Sequence, residues 1–455
     1  MTVIELPALS GSGEYRSRKR EVIADAAGAP MAKLSVAPPL FIARAMAAQR
    51  KSAPLPTDQR KALLDRAAGA FVESTAAGLD FESYVRATSR VSGLPVAVAR
   101  AQAREVSQAV ACTFDAVAPA RPVAAAPHWR SVQPGTGRAI WSRRGELFGV
   151  HASGNAPGVH GLWPQALALG YRVAIRPSRR EPFTAHRLVT ALREAGFRDQ
   201  DVLYLPTDHS GADDIVAAAD LALVYGGADV AAKYGGDPAV HVNGPGRTKI
   251  LLTAEQDWRE HLDVIVDSIA RLGGMACVNT TAVLVEGDPA PLAGAIAERL
   301  SAIEVLAPED ERAILPAQSI ASARALATFL ATRAKGTTAV LGADQMVADL
   351  GDGRAVLRPA VHLLADLDAE QLNTELAFPC VWIAGWNRAD GVGPLRNSLV
   401  VTAITDDDTL VGDLIDEPTI ANVYHGPVPT YHTAQELPHD GFLAEFLMRT
   451  KGFVK

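Results

Sequence analysis

Cysteine is scarce in this chain: there are 3, Cys112, Cys277 and Cys380, far apart, odd in number and never in a Cys-x-x-Cys pair. That spacing excludes a disulfide framework and a zinc ribbon, predicts no metal site, and suits a reducing, cytoplasmic setting. Basic blocks are missing apart from Arg16-Ser17-Arg18-Lys19-Arg20, which reads as a solvated tail, and 44 Lys+Arg stand against 51 Asp+Glu for a net charge of -7. Neither nucleic acid nor an anionic membrane would find an electrostatic footprint here. No stretch approaches the roughly 18 uninterrupted apolar residues of a membrane span. Met1 to Glu14 lacks the basic-then-apolar order of a cleaved signal, so a soluble chain is expected. Internal repeats are absent too, and the Pro- and Ala-rich Ala118 to Pro127 reads as a connector.

What the chain has is length and apolar content: 455 residues, 48% hydrophobic. At roughly 100 to 200 residues per domain this gives two or three domains, each able to bury its own core. From Pro39 to Ala111 apolar residues recur at helical spacing (Leu63, Leu64, Ala67, Phe71, Val72), which predicts a layer of helices. Trp129 to Gly145, around Pro134-Gly135-Thr136-Gly137, suits two extended strands joined by a turn, a hairpin. Short apolar runs then alternate with helical stretches: Leu147 to His151, Arg172 to Ile175, Val202 to Leu205 and Leu221 to Val224. A second set follows at Ile250 to Leu252, Ala282 to Val285, Thr338 to Leu341, Val381 to Ile383 and Ser398 to Val401. Strands alternating with helices imply crossovers, hence two doubly wound α/β domains in series. The tail from Pro427 mixes an extended piece with a short helix over Phe442 to Met448.

Ligands of open α/β sheets bind beyond the C-terminal strand ends, so the loops there hold the candidate chemistry. His151-Ala152-Ser153-Gly154-Asn155-Ala156-Pro157-Gly158 follows a strand, and its Asn155 amide is either an oxyanion donor or an ordinary turn residue. Ile175-Arg176-Pro177-Ser178-Arg179-Arg180 sets three arginines where guanidinium forks could take a nucleotide phosphate, or else simply stay solvated. In Tyr225-Gly226-Gly227-Ala228-Asp229-Val230 the glycines open a strand-to-helix turn to a dinucleotide, although this is no Gly-x-Gly-x-x-Gly fingerprint. Gly273-Gly274-Met275-Ala276-Cys277-Val278-Asn279-Thr280 places a cysteine in a Gly-flanked bend, either a nucleophile or an inert thiol.

In this order these loops, with Glu375-Leu376-Ala377-Phe378-Pro379 and the run Pro438-His439-Asp440-Gly441-Phe442 through Lys451-Gly452-Phe453, resemble the aldehyde dehydrogenase superfamily over about Pro39 to Lys455. The resemblance implies two doubly wound α/β domains plus a β-hairpin and C-terminal oligomerisation arm. Residues 1–126 and 148–248 would form the helical layer and cofactor domain, 249–425 the catalytic domain, and 127–147 with 426–455 the arm. It implies Cys277 as the nucleophile that becomes a thioester. Asn155 and the Cys277 amide would stabilise the oxyanion, and Glu375 would hold the nicotinamide ribose. Ala152, Ser153, Arg176, Ser178, Arg179, Gly226, Gly227, Val230 and Phe378 would complete the cofactor site.

Two departures from the commoner family pattern shape the expected reaction. Hydrolytic members carry Glu-Leu-Gly-Gly-Lys, whose glutamate activates water; here the matching segment is Val242-Asn243-Gly244-Pro245-Gly246-Arg247. Asn243 cannot accept a proton at neutral pH, which removes base assistance worth roughly a hundredfold or more. The Gly-Pro-Gly form is similar to the acylating branch, which exchanges the acyl group with coenzyme A or a carrier-protein pantetheine, thiols already partly ionised near neutrality. His241 and Glu286 are alternative bases, with structural roles the plainer reading. In the second departure Arg176 stands for a lysine and Arg179 for the acid of NAD-preferring members, so NADP(H) is expected over NAD(H).

The expected activity is interconversion of an aldehyde and an acyl thioester through Cys277. The rivals are hydrolytic oxidation of an aldehyde to an acid and a non-catalytic scaffold with this fold. Cys112 and Cys380 read as packing residues. His160 and Trp163 read as tunnel lining or helix surface, and the arm predicts a homodimer or homotetramer.

Overall fold

The computed structural model describes residues 3–434 and 436–455, His209 and Ser210 by backbone alone. The short aliphatic runs form strands buried on both faces, as parallel sheets flanked by helices require. In the first seven-stranded sheet the order is Val240–Asn243, Leu221–Tyr225, Leu147–His151, Arg172–Arg176, Val202–Tyr204, Ala8–Ser10 and Gly13–Tyr15. The first five strands pair in parallel, and the last two are added by antiparallel pairing. The chain winds outward in both directions from Leu147–His151, so a topological switch point lies between that strand and Leu221–Tyr225. Helices Thr57–Glu73, Val96–Ala111 and Phe183–Ala195 bury Phe71, Val106 and Leu188 against Phe148 and Val173 on one face. Pro39–Arg50 covers the other with Ile42 and Met46, packed on Leu147, Ala174 and Leu203.

The second seven-stranded sheet runs Thr338–Leu341, Ala360–Leu363, Cys380–Trp386, Thr280–Glu286, Thr248–Leu252, Ser398–Ile404 and Ile420–His425, parallel except at Thr338–Leu341. Its faces are filled by a Leu284, Trp382 and Val401 cluster and an Ile250, Val283 and Val381 cluster. The predicted α/β fold with two doubly wound sheets is therefore present. No described helix is long and apolar enough to cross a membrane.

Two expectations fail. Trp129 to Gly145 is not a hairpin: Trp129–Ser131 is a 3-10 turn whose Arg130 amide donates to His128 Nδ1 at 3.0 Å, and only Gly137–Arg143 is extended. That strand pairs antiparallel with Met448–Val454 and parallel with Ala125–Ala126, so its main partner lies at the far end of the chain. Nor is Arg16 to Arg20 a free tail. Pro30–Ser35 pairs with Ile4–Leu6 and Arg20–Ala24, while Arg20 reaches Glu5 at 3.2 Å and Lys19 reaches Asp208 at 2.8 Å. Arg16, Arg18, Lys19 and Arg20 are solvent-exposed as expected, but the segment is tied down because Glu5 and Asp208 reach it from elsewhere in the sequence.

Candidate active site

Helix Trp258–Ala270 ends in a bend with Leu272 at φ 60°, Gly273 at 74° and Gly274 at 65°. A Cβ on Gly274 would lie 2.5 Å from the Pro379 nitrogen, so this glycine lets the cysteine loop press on the Phe378-Pro379 backbone. Asn279, buried beyond the loop, donates to Arg271 O at 2.6 Å and accepts from Ala276 N at 2.9 Å, pinning both sides of Cys277. From the adjoining strand Thr248 Oγ1 donates to Cys277 O at 2.8 Å.

Asn155 arrives from the end of Leu147–His151. Ser153 Oγ donates to its Oδ1 at 2.7 Å, which turns Nδ2 toward the cysteine loop, where it donates to Met275 O at 3.2 Å. An amide nitrogen has two hydrogens, so one is left for an acyl oxygen beside Cys277.

The 243–247 segment closes the opposite side. A Cβ on Gly246 would fall 1.8 Å from Cys277 O, a backbone approach open to glycine alone. Gly246→Ala must displace the Cys277 backbone, and a cut in kcat of about a hundredfold with unchanged circular dichroism is the expected result. Arg247 takes φ 48° and donates its backbone N–H to Glu375 Oε1 at 2.6 Å. Burial pushes the Glu375 carboxyl up, opposed by the Arg247 and Gly246 amides. Asn243 is buried beside the Tyr225 hydroxyl and the His241 ring, and its Oδ1 has no hydrogen-bond partner.

A further residue completes the set. His439 Nε2 lies 3.2 Å from Cys277 Sγ, and Nδ1 lies 3.3 Å from Asp440 Oδ2, an ion-pair contact without hydrogen-bond alignment. Asn422 Nδ2 holds His439 O at 2.7 Å and Leu399 O at 3.0 Å, tying the histidine loop to the second sheet. Burial alone would lower the His439 pKa, but the negative charges of Cys277 and Asp440 outweigh it and push it up to about 10. Burial keeps the nearby Tyr225 hydroxyl protonated, reinforced by the charges on Cys277 and Asp440, and it lowers His241. In the sequence, Pro438-His439-Asp440-Gly441-Phe442 stands out only as part of a terminus that resembles the family's. The available signal was a His-Asp pair between Pro and Gly, the composition of a loop that presents side chains.

The remaining candidates divide. Glu286 lies away from the site, accepting from Arg388 Nε at 3.1 Å and Ala254 N at 3.0 Å. His160 and Trp163 are neither tunnel lining nor surface: both are fully buried, with Trp163 Nε1 donating to His160 Nδ1 at 3.1 Å. Cys380 is buried, and burial raises its thiol pKa. Cys112 is not core; it is half-buried and lines a cavity of about 470 Å³ with Val106, Leu162, Leu437 and Phe442, at whose wall His439 sits.

At the first sheet, Ala152 is buried, Ser153 is half-buried, and Gly226-Gly227 precede the short helix Ala228–Tyr234, with Val230 packed against Val240. Arg176 ends the Arg172–Arg176 strand with Ser178 and Arg179 just past it; Arg176 Nε is buried without a hydrogen-bond partner, while Arg179 Nε lies at ion-pair distance, 3.0 Å, from Glu21 Oε2. An orphaned guanidinium donor beside a second arginine fits a phosphorylated ligand. Phe378 is 1% exposed inside the second core.

The fold has solved counterparts. The aldehyde dehydrogenase KauB from Pseudomonas aeruginosa superposes with a TM-score of 0.84 at 15% identity, covering 99% of this chain and 97% of that one. Gamma-glutamyl-gamma-aminobutyraldehyde dehydrogenase from Burkholderia cenocepacia gives 0.82 at 16%, covering 100% and 97%. An indole-3-acetaldehyde dehydrogenase bound to NAD+ gives 0.83 at 16%, covering 100% and 97%. No curated protein sequence matches the chain. The profile described as Aldehyde dehydrogenase family matches residues 15–399, most of the chain and every loop around Cys277 except the His439 segment, and on that match the chain belongs to the aldehyde dehydrogenase family.

Proposed function

We propose that this NAD(P)-dependent aldehyde dehydrogenase family member interconverts an aldehyde and an acyl thioester, with coenzyme A or a carrier-protein pantetheine as the thiol. The observation that carries the reading is the 3.2 Å Cys277–His439 contact in a site whose Asn243 cannot act as a base. In the reductive direction the Cys277 sulfur attacks the thioester carbonyl. Asn155 Nδ2 and the Cys277 amide hold the oxyanion, the carbonyl re-forms, and the departing thiolate takes a proton from the His439 imidazolium. A bound nicotinamide would supply the hydride to the acyl carbon in this direction and accept it in the other. Collapse of the resulting alkoxide breaks the C–S bond, frees the aldehyde and leaves the Cys277 thiolate, and His439 takes up a proton from solvent to restore the pair.

In the oxidative direction the charge logic reverses. Acylation removes the negative charge on Cys277 that holds the proton on His439, and burial then favours the neutral imidazole. Neutral His439 can take the proton of an incoming thiol. A thiol near neutrality is partly ionised already and needs less help than water. The same imidazole is also the one observation that favours hydrolysis, because it offers a base that Asn243 does not.

Assaying an aldehyde panel with NAD and NADP, each with and without coenzyme A, tests the reading. Thioester formation and faster turnover with coenzyme A are expected; unchanged rates with free acid as sole product would sink it. Asn155→Ala is expected to lower kcat by about 10² to 10³, the usual worth of one oxyanion donor, with little change in KM. Arg176 and Arg179 support NADP(H) as the main cofactor, Gly226, Gly227 and Glu375 lying where the rest of it would be held. The three-stranded arm, with Trp129 45% and Val454 78% exposed, supports a homodimer or homotetramer, readable by light scattering.

A further inference from the structure

The first sheet winds from Leu147–His151 to Arg172–Arg176 to Val202–Tyr204 on one side and to Leu221–Tyr225 on the other. In a dinucleotide-binding sheet so wound, the residues just past the second strand meet the adenosine ribose. A carboxylate there favours bare hydroxyls and an arginine favours a 2'-phosphate. Arg176 and Arg179 occupy that place, and the following loop contains no acid before Glu181, which is fully buried. The carboxylate comes instead from outside the sheet. Glu21, on the N-terminal strand Arg20–Ala24, sets its Oε2 3.0 Å from Arg179 Nε. The contact has ion-pair distance without hydrogen-bond alignment, and both side chains keep about a third of their surface in water, Arg179 39% and Glu21 31%. The field of Glu21 reaches Arg176 as well, opposing the effects of burial and of Arg179 on that guanidinium.

Resting on the reading of this strand end as the adenosine ribose site, we propose that Glu21 is a specificity-determining residue that sets how strongly a 2'-phosphate is preferred over a plain ribose. A 2'-phosphate must displace the carboxylate from Arg179 and bear its repulsion, whereas a bare ribose hydroxyl can donate to it. Glu21 thus moderates the preference that Arg176 and Arg179 create, and an N-terminal strand takes part in choosing the cofactor.

The test is calorimetric titration of the full chain with 2',5'-ADP and 5'-AMP, which reports binding without turnover. Glu21→Gln is expected to raise the ratio of 2',5'-ADP to 5'-AMP affinity about fivefold to tenfold, the scale of one part-solvated charge contact. A rise of threefold or more supports the proposal; a smaller rise, no change or a fall overturns it. Should Glu21→Gln fail to fold, Arg179→Gln breaks the same pair from the other side. It should weaken 2',5'-ADP about tenfold while holding 5'-AMP within twofold, and equal loss of both ligands overturns the proposal. If neither fragment binds the parent protein, the ribose-site reading falls and takes the role of Glu21 with it. The acylating chemistry at Cys277 is untouched by that result.

Discussion

Replacing Cys277 by alanine is expected to abolish turnover, a loss of about 10⁴-fold or more, because the proposed route carries the acyl group on its sulfur. The folded chain should persist: Cys277 is half-buried, and its loop is pinned by Asn279 and Thr248 through groups that the substitution leaves alone. Intact-protein mass spectrometry after exposure to an acyl thioester should show one acyl adduct on the parent and none on Cys277→Ala. An adduct that survives would move the chemistry to Cys112, the other half-buried thiol, which faces the cavity beside His439. The same comparison tests the scaffold reading, under which no adduct would form on either protein.

The second large effect belongs to His439. Its Nε2 touches the nucleophile, and its proton is held to about pH 10 by the charges on Cys277 and Asp440 against the opposing effect of burial. His439→Asn removes that cation and also the acid that protonates the departing thiol, so kcat/KM should fall about 10² to 10⁴-fold. The rate of Cys277 alkylation at pH 7 should fall about tenfold or more, since the thiolate is the reacting form. The sign with pH follows from the raised value. The imidazolium is present throughout neutral pH and is lost as pH rises through about 10, so the parent's kcat/KM with an acyl thioester, which needs that acid, should decline near there, an alkaline limb that the variant lacks. If alkylation of the variant matches the parent at every pH, His439 is a neighbour of the nucleophile and not its partner.

Much of this architecture is legible in sequence because parallel strands must be buried on both faces. Leu147 to His151 and Ile250 to Leu252 have little choice about where they go, and a loop beyond such a strand end is a natural home for Asn155. Arg176 and Arg179 are readable for the same reason. What escapes is any relation that depends on two distant segments meeting. His439 reaches Cys277 from a terminal loop with no periodicity to betray it. Glu21 answers Arg179 from a strand whose neighbouring basic residues looked like a tail. Gly137–Arg143 finds its partner in Met448–Val454, so a turn-centred reading of Trp129 to Gly145 supplies a strand that does not exist. Cys112, at the end of helix Val96–Ala111, has the apolar spacing of a core residue and faces a cavity because the C-terminal loop stands off from that helix.

The fate of the acyl group once it is on Cys277 remains the point on which the account turns. The acyl-enzyme, formed from an acyl thioester and freed of excess thiol by rapid desalting, can be followed by intact-protein mass spectrometry in buffer alone and in buffer with coenzyme A. The adduct is expected to persist for minutes in buffer, where Asn243 gives water no help, and to disappear within the mixing time once the thiol is added, with acyl-coenzyme A as the product. Loss of the adduct at one rate with and without coenzyme A, yielding free acid in both, would contradict it.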